Sequence, residues 1–126
     1  MNEINESEIQ EKIRLFQQMQ QQAQALTQQS SQIEMSINEI ERTIKEIEKS
    51  NDKNTLYRAI GSIMQKVENV EKLKKEIKDE KETLEIRNKS VKNQIEKLNT
   101  EINIMQTKLT PLVQSLKENE SQNDSK

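Results

Sequence analysis

Apolar and small residues recur in steps of three and four along the first part of the chain: Ile9, Ile13, Phe16, Met19, Ala23, Leu26, Ser30, Ile33, Ile37, Ile40, Ile44 and Ile47. This is the spacing of one stripe on a helix, close to a heptad repeat, with two successive three-residue steps at Phe16–Met19. Glu, Lys and Gln, good helix formers, fill the positions between. Ser7 with Gln10 three residues on reads as a capping box, so the first helix is expected over about residues 7–49. The run Ser50-Asn51-Asp52-Lys53-Asn54 should end it.

A second stripe runs through Val70, Leu73, Ile77, Glu80, Leu84, Asn88, Val91, Ile95, Leu98, Ile102, Met105, Leu109, Leu112 and Leu116. Leu84 stands between two four-residue steps, flanked by polar Glu80 and Asn88. Asn69 is the expected N-cap, with Glu71 in the first turn where the helix dipole favours an acid. The second helix is thus expected over residues 69–116, with a kink or fraying at Pro111. The remainder, 117–126, is polar throughout and reads as a disordered tail. Two helices of similar length around a short connection predict an antiparallel coiled-coil hairpin. Setting Lys49 opposite Asn69 places Phe16 near Ile102 and Ile9 near Leu109. Leu112 and Leu116 then run past Ser7 unless Ile4 extends the first helix.

The connection, residues 55–67, reads TLYRAIGSIMQKV and holds the chain's one Gly and one Tyr. As a β-hairpin it turns at Gly61-Ser62, a Gly-first type II′ turn. Ile60 then pairs with Ile63, Arg58 with Gln65 and Leu56 with Val67 on one face. Ala59–Met64 and Tyr57–Lys66 share the other. A lone two-stranded hairpin is marginal in water, so this one would need strands from other subunits. Leu56, Ile60, Ile63, Met64 and Val67 equally fit one helix face, so periodicity leaves both readings open. Gly61 and the Asn-containing stretch before it favour the hairpin.

Composition narrows the chemistry. Hydrophobic residues make up 30% of the 126 residues and aromatics 2%, while charged residues reach 33%. One round core cannot be built from this; a narrow apolar seam can. With no His and no Cys there is no Ser–His or Cys–His nucleophile pair and no usual zinc site. A single Gly excludes the phosphate-cradling loops. No catalytic, cofactor-binding or metal-ligating residue is therefore assigned, and no enzyme activity is expected. A formal net charge of −2, without a basic face, argues against nucleic acid. No apolar run is long enough for a membrane span, and the acidic start MNEINESEIQ is no secretory signal. The absence of cysteine fits a reducing, cytoplasmic setting.

The central Leu56-Tyr57-Arg58-Ala59-Ile60-Gly61-Ser62-Ile63-Met64 resembles the short hairpin of the prefoldin family: aliphatic, Tyr, basic, any residue, aliphatic, Gly. Lys81-Glu82-Thr83-Leu84-Glu85-Ile86-Arg87 and Gln94-Ile95-Glu96-Lys97-Leu98 add weaker likeness, and one hairpin rather than two resembles the β-type subunit. The resemblance implies a mostly α fold, an antiparallel two-helix coiled-coil hairpin whose short central β-hairpin joins an intersubunit β-barrel. It implies an ATP-independent cochaperone: a hexamer of two α-type and four β-type subunits whose coiled-coil tips hold non-native client proteins for a group II chaperonin. Leu56, Tyr57, Ile60, Gly61, Ile63 and Met64 would then serve subunit assembly. Ile9, Ile13, Leu15, Phe16, Met19, Ile104, Leu109, Leu112, Val113 and Leu116 would form the client-binding tip. Leu15, Ile104 and Val113 lie off the best seam, and clustered exposed apolar residues usually bind something. The alternative from another class is a structural dimeric coiled coil, one nearly continuous helix acting as spacer or tether.

Overall fold

The computed structural model describes residues 5–50 and 55–124, and side chains as far as residue 118. The order of elements is helix α1 (Glu6–Lys49), strand β1 (Tyr57–Ile60), strand β2 (Ile63–Lys66) and helix α2 (Val70–Asp124). A continuous helix through Gly61 is thereby excluded: two strands separate the helices.

Helix α1 starts earlier than the Ser7 capping box suggests. The Asn5 side-chain oxygen accepts the Glu8 N–H at 2.8 Å, and the Asn5 carbonyl accepts the Ile9 N–H at 3.1 Å. Asn caps as well as Ser does, and Glu6 and Glu8 then lie in the first turn, at the positive end of the helix dipole. Ser7 is left inside the helix. At the other end the Ser50 N–H donates to the Ile47 carbonyl and its hydroxyl to the Glu46 carbonyl, both at 3.1 Å. Asn51–Asn54 of the expected stop, and Ile4, lie outside the described residues.

Helix α2 opens on Asn69, whose side chain accepts the Lys72 N–H at 3.0 Å. It then runs through Pro111 and past Leu116 to Asp124, where an end near residue 116 and a disordered tail were expected. Pro111 removes one N–H donor, the one that would serve the Thr107 carbonyl, and leaves the other turns intact. Beyond it Leu112, Val113 and Leu116 are half-buried, and the Lys, Glu and Gln that follow favour helix.

The chain forms two compact units. One holds residues 29–90: the second part of α1, the hairpin and the first part of α2. Its core is Ile33, Ile44 and Ile47, with Ile37, Ile40, Leu73, Ile77 and Leu84 half-buried beside them. A polar layer interrupts it. The Ser30 hydroxyl donates to Asn88 Oδ1 at 2.7 Å, the pairing that the Lys49–Asn69 register requires, and both residues are buried. The Asn88 amide donates in turn to Glu34 at 3.4 Å. Glu80, expected in the seam, is exposed; Lys81 is the half-buried residue. With Lys81 the steps from Ile77 to Asn88 become four, three and four, a regular heptad. Its ammonium sits 3.2 Å from Glu41 and 3.6 Å from Glu85, while its stem covers apolar surface. The hydrogen bond to Glu41 raises the Lys81 pKa above the ordinary lysine value.

The other unit joins residues 1–28 to 91–126. Ile9, Ala23, Val91, Ile102 and Leu109 are buried in it. Ile13, Phe16, Met19, Leu26, Ile95, Leu98 and Met105 are half-buried along the same seam. The stripes read from the sequence are therefore the packed stripes, with Glu80 the exception.

Candidate functional site

Exposed apolar side chains gather in two regions, built differently, while Met35 and Ile86, 70% and 66% exposed, stand outside both. The first is the hairpin. Strands β1 and β2 pair antiparallel as Tyr57–Lys66, Arg58–Gln65, Ala59–Met64 and Ile60–Ile63, the register expected for a turn at Gly61-Ser62. The Val67 N–H donates to the Leu56 carbonyl at 2.9 Å and extends the ladder. Gly61 has φ of 58°, and no other residue among those described has a positive φ. A positive φ at the first turn position alone is the II′ pattern. A side chain at Gly61 would meet nothing within 4 Å, so only backbone conformation demands glycine there.

All eight strand residues are exposed. Tyr57, Ile60, Ile63 and Met64 are each at least half exposed, from 50% for Ile60 to 66% for Ile63. Among the described residues the strands have no third partner, so their outer edges offer unpaired N–H and C=O groups. Arg58 reaches Glu76 of α2 at 3.5 Å, an exposed ion pair that tethers the hairpin to the helix within this unit. This is a surface able to pair with further strands through its edges and to pack through both faces.

The second region lies in the unit of residues 1–28 and 91–126. Of the open recesses along its seam, one, of about 730 Å³, is lined by Gln20, Ala23, Gln24, Thr27, Gln28, Asn99 and Ile102. Two others hold residues singled out in the sequence. One, of about 650 Å³, has Ile13, Phe16, Leu109 and Val113 as its apolar lining and Gln17, Gln20, Gln106, Thr110, Gln114 and Lys117 as its polar lining. The other, of about 430 Å³, is lined by Leu15, Met19, Ile104, Met105 and Leu109, with Lys12, Glu101 and Lys108 around them. Leu15 and Ile104 are 40% and 52% exposed.

Ile9 and Leu109, expected at an open tip, are instead buried at 4% and 5% exposure and belong to the seam. Leu109 nevertheless lines both recesses. Ile13, Phe16 and Val113 meet at one recess, Leu15, Met19 and Ile104 at the other, and Leu112 and Leu116 are half-buried on α2. The amide lining was foreshadowed by the uncharged, Gln-rich run from Leu15 to Ile33. The share supplied by Gln106 and Gln114 carries no such signal, because they stand in ordinary mixed sequence.

The Glu11–Arg14 ion pair holds the Glu11 carboxyl below its ordinary range and raises the Arg14 guanidinium, both chiefly through their hydrogen bond. Both groups are exposed. Among the described residues no cluster of acids, His or Cys could hold a metal ion, and no helix is long and apolar enough to cross a membrane.

A family model described as Prefoldin subunit matches residues 10–116. A curated relative, prefoldin subunit beta of Archaeoglobus fulgidus, is 37% identical over 106 residues, spanning 84% of this chain and 90% of the relative. The crystal structure of the prefoldin beta subunit from Thermococcus strain KS-1 is similar with a TM-score of 0.76 at 26% identity, covering 89% of this chain and 96% of that one.

Proposed function

Since this chain belongs to the prefoldin family, we propose that it is a β-type subunit of a hetero-oligomeric, ATP-independent cochaperone that captures non-native proteins and passes them to a group II chaperonin. The observation that carries the reading is that exposed apolar side chains gather on a two-stranded hairpin and, with Leu15 and Ile104, at a helix-lined recess, Met35 and Ile86 standing apart from both. Tyr57, Ile60, Ile63 and Met64, with Leu56 and the Gly61 turn, assemble with the hairpins of α-type and other β-type subunits, in a hexamer of two and four. Leu15, Ile104 and Val113, with Phe16 and Met19, contact clients. Each such contact is weak, and several subunits on a shared platform make weak contacts useful because the later ones are intramolecular. The assembly works in the cytoplasm, without cofactor.

Replacing Leu15, Ile104 and Val113 together with Ser tests this. Removing them takes away roughly 1–2 kcal/mol of contact per residue buried against a client. The variant should co-assemble with its partner subunits, because the hairpin belongs to the other unit. It should largely lose the ability to suppress aggregation of a diluted, denatured test protein. Full protection by the variant would show these residues to be ordinary surface.

A further inference from the structure

The two recesses differ in charge. The one beside Leu15 and Ile104 has Lys12, Glu101 and Lys108 at its margin. The one beside Phe16 and Val113 has four primary amides, and Lys117 is the one ionisable side chain lining it. On α1 the absence is wider still, since no ionisable residue occurs from Leu15 to Ile33.

We infer that the recess formed by Phe16, Val113 and the amides of Gln17, Gln20, Gln106 and Gln114 takes extended, uncharged stretches of polypeptide; this rests on the reading that the unit captures non-native proteins. An extended segment pressed onto an apolar floor loses water from its backbone N–H and C=O groups, which is costly unless they are hydrogen-bonded. A primary amide is a neutral side chain that both donates and accepts, so it serves either backbone group. None of the four amides is hydrogen-bonded elsewhere among the described residues, whereas the Thr110 hydroxyl is engaged with the Gln106 carbonyl at 2.8 Å. A client lysine or glutamate entering the recess would lose hydration and meet no opposite charge inside. Lys117 at the margin adds repulsion for a basic segment. Selection therefore works by exclusion: charge is turned away and the neutral backbone is accepted.

The test uses the co-assembled complex and fluorescently labelled, end-capped peptides of about 12 residues, roughly 40 Å when extended. One alternates Leu and Ser; in two others a pair of Ser is replaced by Lys or by Glu. Anisotropy titrations should rank the uncharged peptide first and the Lys peptide last, about tenfold apart. Gln17→Glu, Gln20→Glu and Gln106→Glu combined should weaken the uncharged peptide roughly fivefold and move the Lys peptide ahead of it. Gln22→Glu, in the same uncharged run but outside the recess, should keep the parent order. Equal binding of all three peptides by the parent would overturn the inference. So would an unchanged order in the triple Glu variant that still assembles. A parent complex that protects a denatured protein yet binds no uncharged peptide would sink this inference and leave client capture standing; failure of both would remove capture itself.

Discussion

The hairpin and the recess-bearing helix pair both present apolar side chains to solvent, yet they stand in opposite relation to their own backbones. In α1 and α2 the interior N–H and C=O groups, the Thr107 carbonyl opposite Pro111 apart, find their partners four residues away, so the exposed Leu15 and Ile104 add no unpaired backbone of their own. Such a surface persists uncovered and can bind and release. In the hairpin, the exposed Tyr57, Ile60, Ile63 and Met64 sit on strands whose outer backbone edges are also unpaired. That surface needs lasting cover. On the proposed function, exposed hydrophobicity serves assembly in one place and exchange in the other, and backbone satisfaction tells them apart.

The largest effect should come from Gly61→Val. A β-branched residue resists φ of 58°, so the turn is lost, and with it the whole capacity to enter a complex. Helix content by circular dichroism should hardly change. An intact hetero-oligomer from this variant, by mass measurement, would break the comparison. Next, Ile33→Asp puts an unpaired carboxylate at a position 8% exposed and should cost about 3 kcal/mol or more in denaturant unfolding. Gln28→Asp, an exposed position, should cost little, and similar losses at the two sites would contradict the seam. Smaller again is Ser30→Ala, which leaves the buried Asn88 oxygen without its donor, at about 1–2 kcal/mol. Adding Asn88→Leu should recover that loss, because no half-satisfied pair remains. The smallest effect is a gain: Lys81→Leu completes the heptad and should raise the melting temperature by about 2–4 °C. The pKa of Lys81 is raised on folding, so its contribution is complete below the ordinary lysine value and fades as pH rises through the raised one. The advantage of Lys81→Leu should therefore widen above about pH 10.

Much of this was legible before any coordinates, for identifiable reasons. A seam with steps of three and four is an unambiguous geometric instruction, and it reads correctly from Ile9 to Ile47 and, Glu80 apart, from Val70 to Leu116. The hairpin register followed from one glycine, because a two-residue turn leaves no freedom to slip. Errors arose where several residues could do one job. Asn5 and Ser7 are both good caps, and only the downstream Glu8 distinguishes them. Glu80 takes the seam position in the stripe read from the sequence, and Lys81 is passed over because its charge hides the reach of its stem. The helix end expected near residue 116 fell short because the tail's polarity was weighed without the helix preference of its Lys, Glu and Gln. Which apolar residues stay open is the least legible property: Ile9 and Leu15 are alike in type, and only their position across the seam separates a buried contact from an exposed one.

The placement of the aromatic rings has a practical side. The chain has one tyrosine, one phenylalanine and no tryptophan. The phenol of Tyr57 belongs to the hairpin, and the phenyl ring of Phe16 lines the amide recess. Near-ultraviolet absorption and emission of the chain are therefore almost wholly a tyrosine signal, arising at the strand surface. A change in that emission when subunits are mixed reports on the hairpin with no contribution from the helices. The spectral region of tryptophan is left dark. A single Phe16→Trp substitution would light the recess alone, so that one sample could be followed at two wavelengths, one for each kind of contact.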